Sequence, residues 1–178
     1  MTSINVAGLL RDAPGAVREL RLRDRYVALG PDLELAGPLD GEIRLLRTNR
    51  GILVRGTIQA PVRRTCARCL DAYVDIVRVS LEEEYLPTVD PDHGTPLDAP
   101  AVDETALLID GRHQLELASV MHDELALAEP MHPLCRPDCP GLCVGCGRRF
   151  DVGSCSCATE EIDPRLQVLA RFREAPPA

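Results

Sequence analysis

The sequence predicts an α+β fold: an antiparallel, strand-rich body with a few short helices, followed by a cysteine-rich segment near the C-terminus. Three observations lead to this prediction. Apolar and polar residues alternate with a period of two over much of the first half, as in half-buried strands. A helical pattern follows, and six of the eight cysteines lie after residue 134. We therefore divide the 178 residues into a body, residues 1–130, and a cysteine-rich segment, residues 131–178.

The first predicted elements are a short helix and three strands. The stretch INVAGLL predicts the helix, and VRELRLR predicts a strand whose apolar residues are Val17, Leu20 and Leu22. The segment GEIRLLRTNRGILVRGTIQA predicts a β-hairpin. In this hairpin the turn residues from Thr48 to Gly51 separate two arms that are rich in Leu, Ile and Val.

The second half of the body combines strands, a loop and a helix. AYVDIVRVSLEEEYL alternates as a strand, whereas the prolines and aspartates of residues 87–103 predict an exposed loop. HQLEL resumes a strand. Ser119 is then expected to cap a helix that ends before Pro130. The residues on one face of this helix are Met121, Leu125 and Ala128.

A last short helix is predicted near the C-terminus. Asp163 and Pro164 form an N-cap and first-turn pair. Leu166, Leu169 and Ala170 follow at helical spacing, so this helix completes the cysteine-rich segment.

The compartment that the sequence indicates decides how its eight cysteines are interpreted. No apolar run approaches the roughly 20 residues that are needed to cross a bilayer. The N-terminus also lacks a basic region followed by a long apolar stretch. We therefore expect a cytoplasmic protein, and disulfides are rare where thiols are kept reduced. The cysteines thus indicate metal ligands or catalytic groups.

Four of the cysteines lie in the stretch CVGCGRRFDVGSCSC. Cys143-x-x-Cys146 followed by Gly147 has the form of a zinc knuckle, in which two thiolates on a tight turn bind one ion. Cys155-x-Cys157 offers a second close pair of thiols. Together the four thiolates can form a closed tetrahedral site. Such a site is structural rather than catalytic, because it has no open position.

The other four cysteines form two further pairs. Cys66-x-x-Cys69 lies between two predicted strands, whereas thioredoxin-like enzymes place this motif between a strand and a helix. We predict that this pair meets Cys135 and Cys139 in a second metal site. The alternative is that one pair remains as buried free thiols.

The histidines offer few other ligands. His132, three residues before Cys135, can substitute for one cysteine. His93, His113 and His122 are predicted at the surface or in loops. The spacing therefore predicts one or two zinc ions per chain, bound mainly by thiolates.

Charge is distributed unevenly along the chain. Seven arginines and no acidic residue lie between Ile43 and Leu70, whereas fifteen acids and two arginines lie between Asp71 and Glu129. One interpretation is that the basic stretch binds an anionic polymer such as RNA. The alternative is that strands from the two halves pair in one sheet and neutralise each other. The candidate RNA-binding residues are Arg44, Arg47, Arg50, Arg55, Arg63, Arg64 and Arg68.

The sequence lacks the motifs that common enzyme classes require. A metal-dependent hydrolase needs an open metal site, but the candidate ligands here are thiolates. G-x-S-x-G and a phosphate-binding glycine-rich loop are both absent. We therefore predict no catalytic residues and no enzymatic activity. The best enzymatic alternative is a thiol oxidoreductase that uses Cys66 and Cys69.

Several stretches, in order from Ile4 to Phe172, carry a resemblance to a known family. They are INVAGLLRDAPGAVREL, CARCLDAY, EEEYLP, HQLELASVMHDELALAEPMHPLC, CPGLCVGCG, CSC and DPRLQVLARF. Together they resemble the YceD family, whose members are called large ribosomal RNA subunit accumulation proteins. In that family the pair matching Cys66 and Cys69 is widely shared, whereas the C-terminal cysteines occur only in some branches.

The resemblance implies a function and a partner. It implies a bacterial cytosolic factor that supports the accumulation of large-subunit (23S) ribosomal RNA, with no assigned catalytic residues. The expected partner is a large-subunit ribosomal RNA precursor or an early large-subunit assembly protein, and we expect no membrane and no small-molecule substrate. The alternative is a zinc-stabilised protein–protein adaptor whose arginines dock an acidic partner.

Overall fold

A five-stranded sheet forms the centre of the protein. The computed structural model describes residues 3–97, 107–153 and 155–157, together with Arg165 and Leu169. In chain order the elements are β1 (Ser3–Asn5), α1 (Ala7–Arg11), β2 (Val17–Arg25), β3 (Leu39–Arg47), β4 (Ile52–Thr65), β5 (Ala72–Pro87), β6 (Leu107–Ile109), β7 (Gln114–Glu116) and α2 (Ala118–Leu127). The order in the main sheet is β2-β3-β4-β5-β6, and β1 pairs with β7 in a small second sheet. This is the strand-rich architecture with short helices that the sequence predicts.

The hairpin of β4 and β5 is the longest feature of the sheet. The two strands pair antiparallel from Ile52 opposite Tyr85 to Thr65 opposite Ala72, without a register shift. The pairing of β4 with β3 ends at Gln59, so the last residues of β4 extend past β3. The turn at residues 66–71 therefore lies beyond the part of the hairpin that β3 covers.

The core lies on the inner face of the sheet. In β4, Ile52, Val54 and Ile58 are buried and alternate with more exposed residues, as the pleat of a strand requires. Met121 and Leu125 of α2 are fully buried in the same cluster. Burial of each such side chain contributes about 1.5–3 kcal/mol. Aliphatic residues thus build the core of a chain in which aromatic residues make up only 3%.

Helix α2 starts earlier than the sequence predicts. Its N-cap is Leu117 and no side chain bonds to the cap, so the expected capping role of Ser119 is wrong. Ser119 lies in the first helical turn, exposed to solvent. Met121 and Leu125 face the core as predicted, but Ala128 is exposed because the helix ends at Leu127. Among the described residues, no helix is long and apolar enough to cross a membrane.

Two short strands were not predicted. The stretch INVAGLL contributes Ile4 and Asn5 to β1 before α1 begins, because these residues pair with β7. β6 runs parallel to β5, opposite Tyr85 to Pro87. This is the one parallel pair of strands in the described sheets. The antiparallel body therefore has a parallel edge strand.

Two predicted features lie partly outside the described residues. In the loop predicted at 87–103, residues 88–97 include a turn in which the Asp90 carboxylate accepts hydrogen bonds from the amides of Asp92 and His93. The remainder of that loop, 98–103, is outside the described part. So is the helix predicted from Asp163, apart from the two isolated residues given above. The division of the chain at residue 130 stays a prediction.

Candidate metal centres

The turn between β4 and β5 brings Cys66 and Cys69 together. The Leu70 amide donates to the Cys66 carbonyl at 2.9 Å, and the Cys66 amide donates to the Asp71 carbonyl at 2.9 Å. Leu70 has a φ of 60°, which is uncommon for a residue other than glycine. The CARC motif therefore forms a knuckle closed at both ends by backbone hydrogen bonds.

Cys135 and Cys139 meet this knuckle from the segment that follows α2. The Sγ atoms of Cys66 and Cys139 are 3.8 Å apart, and those of Cys69 and Cys135 are 3.7 Å apart. All four Sγ atoms lie within 4.8 Å of one another. We call this group site 1: Cys66, Cys69, Cys135 and Cys139.

Site 1 is mostly buried, and the backbone favours ionisation of one thiol. Cys66 and Cys139 are 0% and 2% exposed, whereas Cys135 reaches the surface. The amides of Cys69 and Cys135 donate to the Cys66 thiol and lower its pKa to about 6. The Asp71 amide lowers the pKa of Cys69, but burial and the neighbouring thiols raise that pKa to about 12. A bound cation would supply the charge needed to ionise the other thiols.

Cys143 and Cys146 lie in a second tight turn of similar form. The Gly147 amide donates to the Cys143 carbonyl, and the Cys143 amide donates to the Arg148 carbonyl, each at 2.8 Å. Gly147 has a φ of 69°, so glycine suits the position at which this turn closes. The thiols of the C-S-C motif complete a group whose Sγ atoms also lie within 4.8 Å of one another. We call this group site 2: Cys143, Cys146, Cys155 and Cys157.

Site 2 repeats the electrostatics of site 1 in a more open setting. Hydrogen bonds from the Cys146 amide, the Cys155 thiol and the Gly145 amide lower the pKa of Cys143 to about 6. Hydrogen bonds with the thiols of Cys146 and Cys143 raise the pKa of Cys157 to about 12. Cys146 and Cys157 are exposed, and Cys155 is half-buried.

Both groups have the donor chemistry of a structural zinc site. Four sulfurs bound tetrahedrally at a Zn–S distance of about 2.3 Å are about 3.8 Å apart. The 3.7 and 3.8 Å separations in site 1 match this spacing. They are far longer than the disulfide bond of about 2.0 Å, and all eight cysteines are free thiols. Each group can therefore hold one metal ion.

The structure groups the cysteines as their spacing indicated. Within the described residues both groups consist of cysteines alone, so His132 is not a member of either. His93 lies at the surface beside Asp90, as predicted. His122 does not join either group of cysteines and contacts Asp32 and Asp123 of the body.

Three contacts join the hairpin turn at residues 66–71 to the segment after α2 and to the second knuckle. The Ala67 amide donates to the Pro133 carbonyl at 2.7 Å. Arg68 Nη1 donates to the Cys139 carbonyl at 2.9 Å, and Arg149 of the second knuckle forms an ion pair with Asp71 of the turn. The contact between Arg149 and Asp71 could not be predicted from the sequence, because the two residues are 78 positions apart and neither has a local signal.

The arginines of the sheet lie opposite acidic residues on its outer face. Arg44 of β3 is directly opposite Arg55 of β4, with Glu19 of β2 on one side and Glu82 of β5 on the other. Arg44 contacts Glu19 at 3.4 Å, and Arg55 is paired with Glu82. This row of four residues, which we call the outer charge row, is neutral.

Four more of the candidate arginines have partners within the chain. The partners are the carbonyls of Leu10, Thr48 and Gly51 for Arg47, Glu84 for Arg50, Glu34 for Arg63, and the Cys139 carbonyl for Arg68. The basic and acidic strands thus pair in one sheet, which is the alternative that the charge distribution left open. RNA binding by these arginines stays a prediction.

Arg64 differs from the other arginines because it points into the protein. Its side chain is 2% exposed, and an RNA chain cannot reach it in this position. Its Nε lies 3.3 Å from Asp75 Oδ2, and its Nη1 lies 3.7 Å from Glu129 Oε1. Within the described part of the chain, neither nitrogen has a partner with hydrogen-bond geometry. The buried charge of Arg64 is therefore balanced by two carboxylates that are both more exposed than the arginine itself.

His122 ties α2 to the segment between β2 and β3. Its ring nitrogens lie 3.0 Å from Asp123 Oδ1 and 3.1 Å from Asp32 Oδ1. Hydrogen bonds to Asp123 and Asp32 raise the pKa of His122.

This arrangement predicts that stability depends on pH. Because the pKa of His122 is raised on folding from about 6.5, its stabilising contribution is complete below that pH and is lost as the pH rises through the folded-state pKa. From about pH 6 to pH 8 we expect the melting temperature to fall more in the wild type than in H122Q. Equal pH dependence in the two proteins would contradict the role of the ion pair.

Comparison with known proteins identifies the family. The model of the family described as large ribosomal RNA subunit accumulation protein YceD matches residues 54–173. The chain belongs to the YceD family. The region of this YceD-family chain that matches begins in β4 and contains all eight cysteines.

Similar proteins occur in mycobacteria. Uncharacterized proteins of Mycobacterium bovis and Mycobacterium tuberculosis are each 36% identical to this YceD-family chain over 174 residues, which is 96% of this chain and 80% of theirs. An uncharacterized protein of Mycobacterium leprae is 32% identical over 142 residues, 75% of this chain and 61% of its own. No solved structure matches the chain with significance.

Proposed function

We propose that this YceD-family chain supports the accumulation of large-subunit (23S) ribosomal RNA as a non-enzymatic ribosome biogenesis factor. The observation that carries the proposal is the family match over residues 54–173. Deletion of the gene is expected to lower the amount of 23S relative to 16S ribosomal RNA. An unchanged ratio would contradict the proposal.

We propose that site 1 and site 2 each hold one zinc ion. The all-cysteine donor sets, the sulfur spacing of site 1 and the amides that donate to Cys66 and Cys143 support this assignment. Four thiolates fill the tetrahedral coordination of zinc and leave no position for water or substrate, so the role is structural. Metal analysis of the purified protein should find two zinc ions per chain, one for each group.

Burial of Cys66 argues against the thiol oxidoreductase alternative. The thiol with the lowered pKa in site 1 is 0% exposed, so a substrate disulfide has no access to it. An oxidoreductase would show rapid alkylation of this thiol in the native protein. The zinc site instead predicts protection of Cys66 and Cys69 until a chelator removes the metal.

We propose a cytoplasmic partner from the early large subunit, namely a large-subunit ribosomal RNA precursor or an assembly protein bound to it. The exposed arginines of the outer face are the candidates for direct RNA contact. Guanidinium groups bind phosphate oxygens in a forked geometry and release condensed counterions. Contact with RNA would require Arg44 and Arg55 to exchange their glutamate partners for phosphates.

Charge reversal in the outer charge row tests direct RNA contact. If Arg44 and Arg55 bind phosphates, R44E/R55E should weaken binding to large-subunit precursor RNA about tenfold or more. The slope of binding against salt should flatten by about one unit for each lost contact. The matched control is E19Q/E82Q, which frees the same arginines and should leave binding unchanged or stronger. If R44E/R55E folds and binds RNA as the wild type does, this row does not contact RNA.

The neutrality of the outer charge row favours a second candidate function, a zinc-stabilised adaptor that binds a protein. RNA-binding faces usually carry an excess of positive charge, whereas these arginines are balanced by glutamates and the chain has a net charge of −8. Pull-down from growing cells, with RNA and protein both identified, distinguishes the two functions. Precursor RNA that remains bound after protein partners are removed supports direct contact, whereas a single retained protein supports the adaptor.

A further inference from the structure

The two thiol sites differ in their access to solvent. In site 1, three of the four cysteines are buried and only Cys135 is exposed. In site 2 only Cys143 is buried, while Cys146 and Cys157 are exposed. Reagents in solution therefore reach a pair of thiols in site 2 but a single thiol in site 1.

The two exposed thiols of site 2 belong to different arms of the site and lie close together. Cys146 is in the knuckle, and Cys157 packs against the backbone of that knuckle. A Cβ built at Gly145 would be in ordinary van der Waals contact with Cys157, 3.4 Å from its Cβ and 3.5 Å from its Sγ, so Cys157 lies beside Gly145 of the knuckle. The Sγ atoms of Cys146 and Cys157 are within 4.8 Å of each other. A disulfide requires the two sulfurs to approach to about 2.0 Å, so the side chains must move towards each other when it forms.

We propose that Cys146 and Cys157 form an oxidant-reactive pair, in which a peroxide generates a disulfide that opens site 2 and releases its metal while site 1 is retained. This inference rests on the proposed zinc ions. With hydrogen peroxide, each thiolate loses one electron and the S–S bond forms. The peroxide O–O bond accepts both electrons and breaks, and two protons complete two water molecules. Cys143 and Cys155 are then the remaining ligands, and two thiolates do not complete a zinc site.

Burial explains why site 1 is expected to persist. Attack on Cys66, Cys69 or Cys139 requires the segment after α2 to separate from the hairpin turn, and the bond between Ala67 and Pro133 opposes this separation. Site 1 exposes a single thiol, Cys135, so an oxidant has one point of attack there and two in site 2. The protein therefore combines one permanent metal site with one that an oxidant opens.

The test uses the full chain loaded with zinc and treated with hydrogen peroxide in the presence of a chromogenic zinc chelator. One ion per chain should be released at least about tenfold faster than the other, because accessible thiolates react first. Peptide mapping should find a Cys146–Cys157 cross-link, and a thiol reductant with added zinc should reverse the change. Release of both ions together, or a first cross-link between any other pair of cysteines, would overturn the inference.

Matched variants distinguish oxidation at site 2 from oxidation at site 1. C146S should abolish the cross-link to Cys157, whereas C135S, which removes the exposed thiol of site 1, should leave that cross-link intact. Mapping of the wild-type protein decides the question even where a variant fails to fold. A wild-type protein that binds no zinc overturns the zinc proposal together with this inference. Two bound ions with concerted release overturn this inference alone.

Discussion

C66S/C69S is expected to lose one zinc ion per chain and to melt at least about 10 °C below the wild type. Structural zinc contributes roughly 10 kcal/mol of apparent binding free energy, which is comparable to the whole stability of about 5–15 kcal/mol of an ordinary domain. Site 1 is where the hairpin turn meets the segment after α2. Without the metal, that segment is held at the turn by weaker contacts, such as the hydrogen bonds from Ala67 to the Pro133 carbonyl and from Arg68 to the Cys139 carbonyl.

The matched control is C146S/C157S, which also removes two cysteines and one proposed ion. It should lower the melting temperature less, because the thiols of site 2 that it removes are exposed. Metal content and thermal unfolding, measured on the same samples, compare the two variants. A C66S/C69S protein with full metal content and the wild-type melting curve would show that site 1 is not a metal site.

D75N/E129Q is expected to lower the free energy of unfolding by about 3 kcal/mol, the lower end of the range for breaking a buried ion pair. The Arg64 side chain is 2% exposed, and the substitutions leave its charge in the interior without a counter-charge. We expect the lower end of this range of destabilisation because Asp75 and Glu129 are themselves partly exposed to solvent. Urea unfolding of the double variant measures the loss.

R64M provides the control for this prediction. It removes the buried charge and leaves the two acids, which solvent can reach, so its effect should be smaller. A larger loss in R64M than in D75N/E129Q would indicate that packing of the Arg64 stem, rather than burial of its charge, dominates at this position.

The features that could be predicted from sequence are those with local signals. Alternation at period two identified β2 and β5, and a turn between two Leu-, Ile- and Val-rich arms identified β3 and β4. The C-x-x-C spacing identified the two knuckles. Each of these signals lies within a few residues. The strand β6 has three residues and exists as a strand because it pairs with the edge of β5. Such a stretch is too short to show a period, so neither the strand nor its parallel direction could be predicted.

The position of the charges depends on register, which composition does not contain. The basic and acidic blocks of the chain left two arrangements open, a basic patch that binds RNA and a sheet in which the two blocks pair. The hairpin places Arg55 opposite Glu82, so the blocks neutralise each other across the sheet. Arg64 occupies an inward position of β4, and its burial depends on Asp75 and on Glu129, which is 65 residues away along the chain. No local pattern identifies that distant partner.

The ratio of 23S to 16S ribosomal RNA is the most direct test of the proposed function. It should be measured in cells that lack the gene and in cells complemented with the wild type, C66S/C69S or C146S/C157S at matched protein levels. We expect the deletion to lower the ratio, the wild type to restore it and C66S/C69S to fail, because site 1 holds the hairpin and the following segment together. A ratio that is unchanged by the deletion would contradict a role of this YceD-family chain in the accumulation of large-subunit ribosomal RNA.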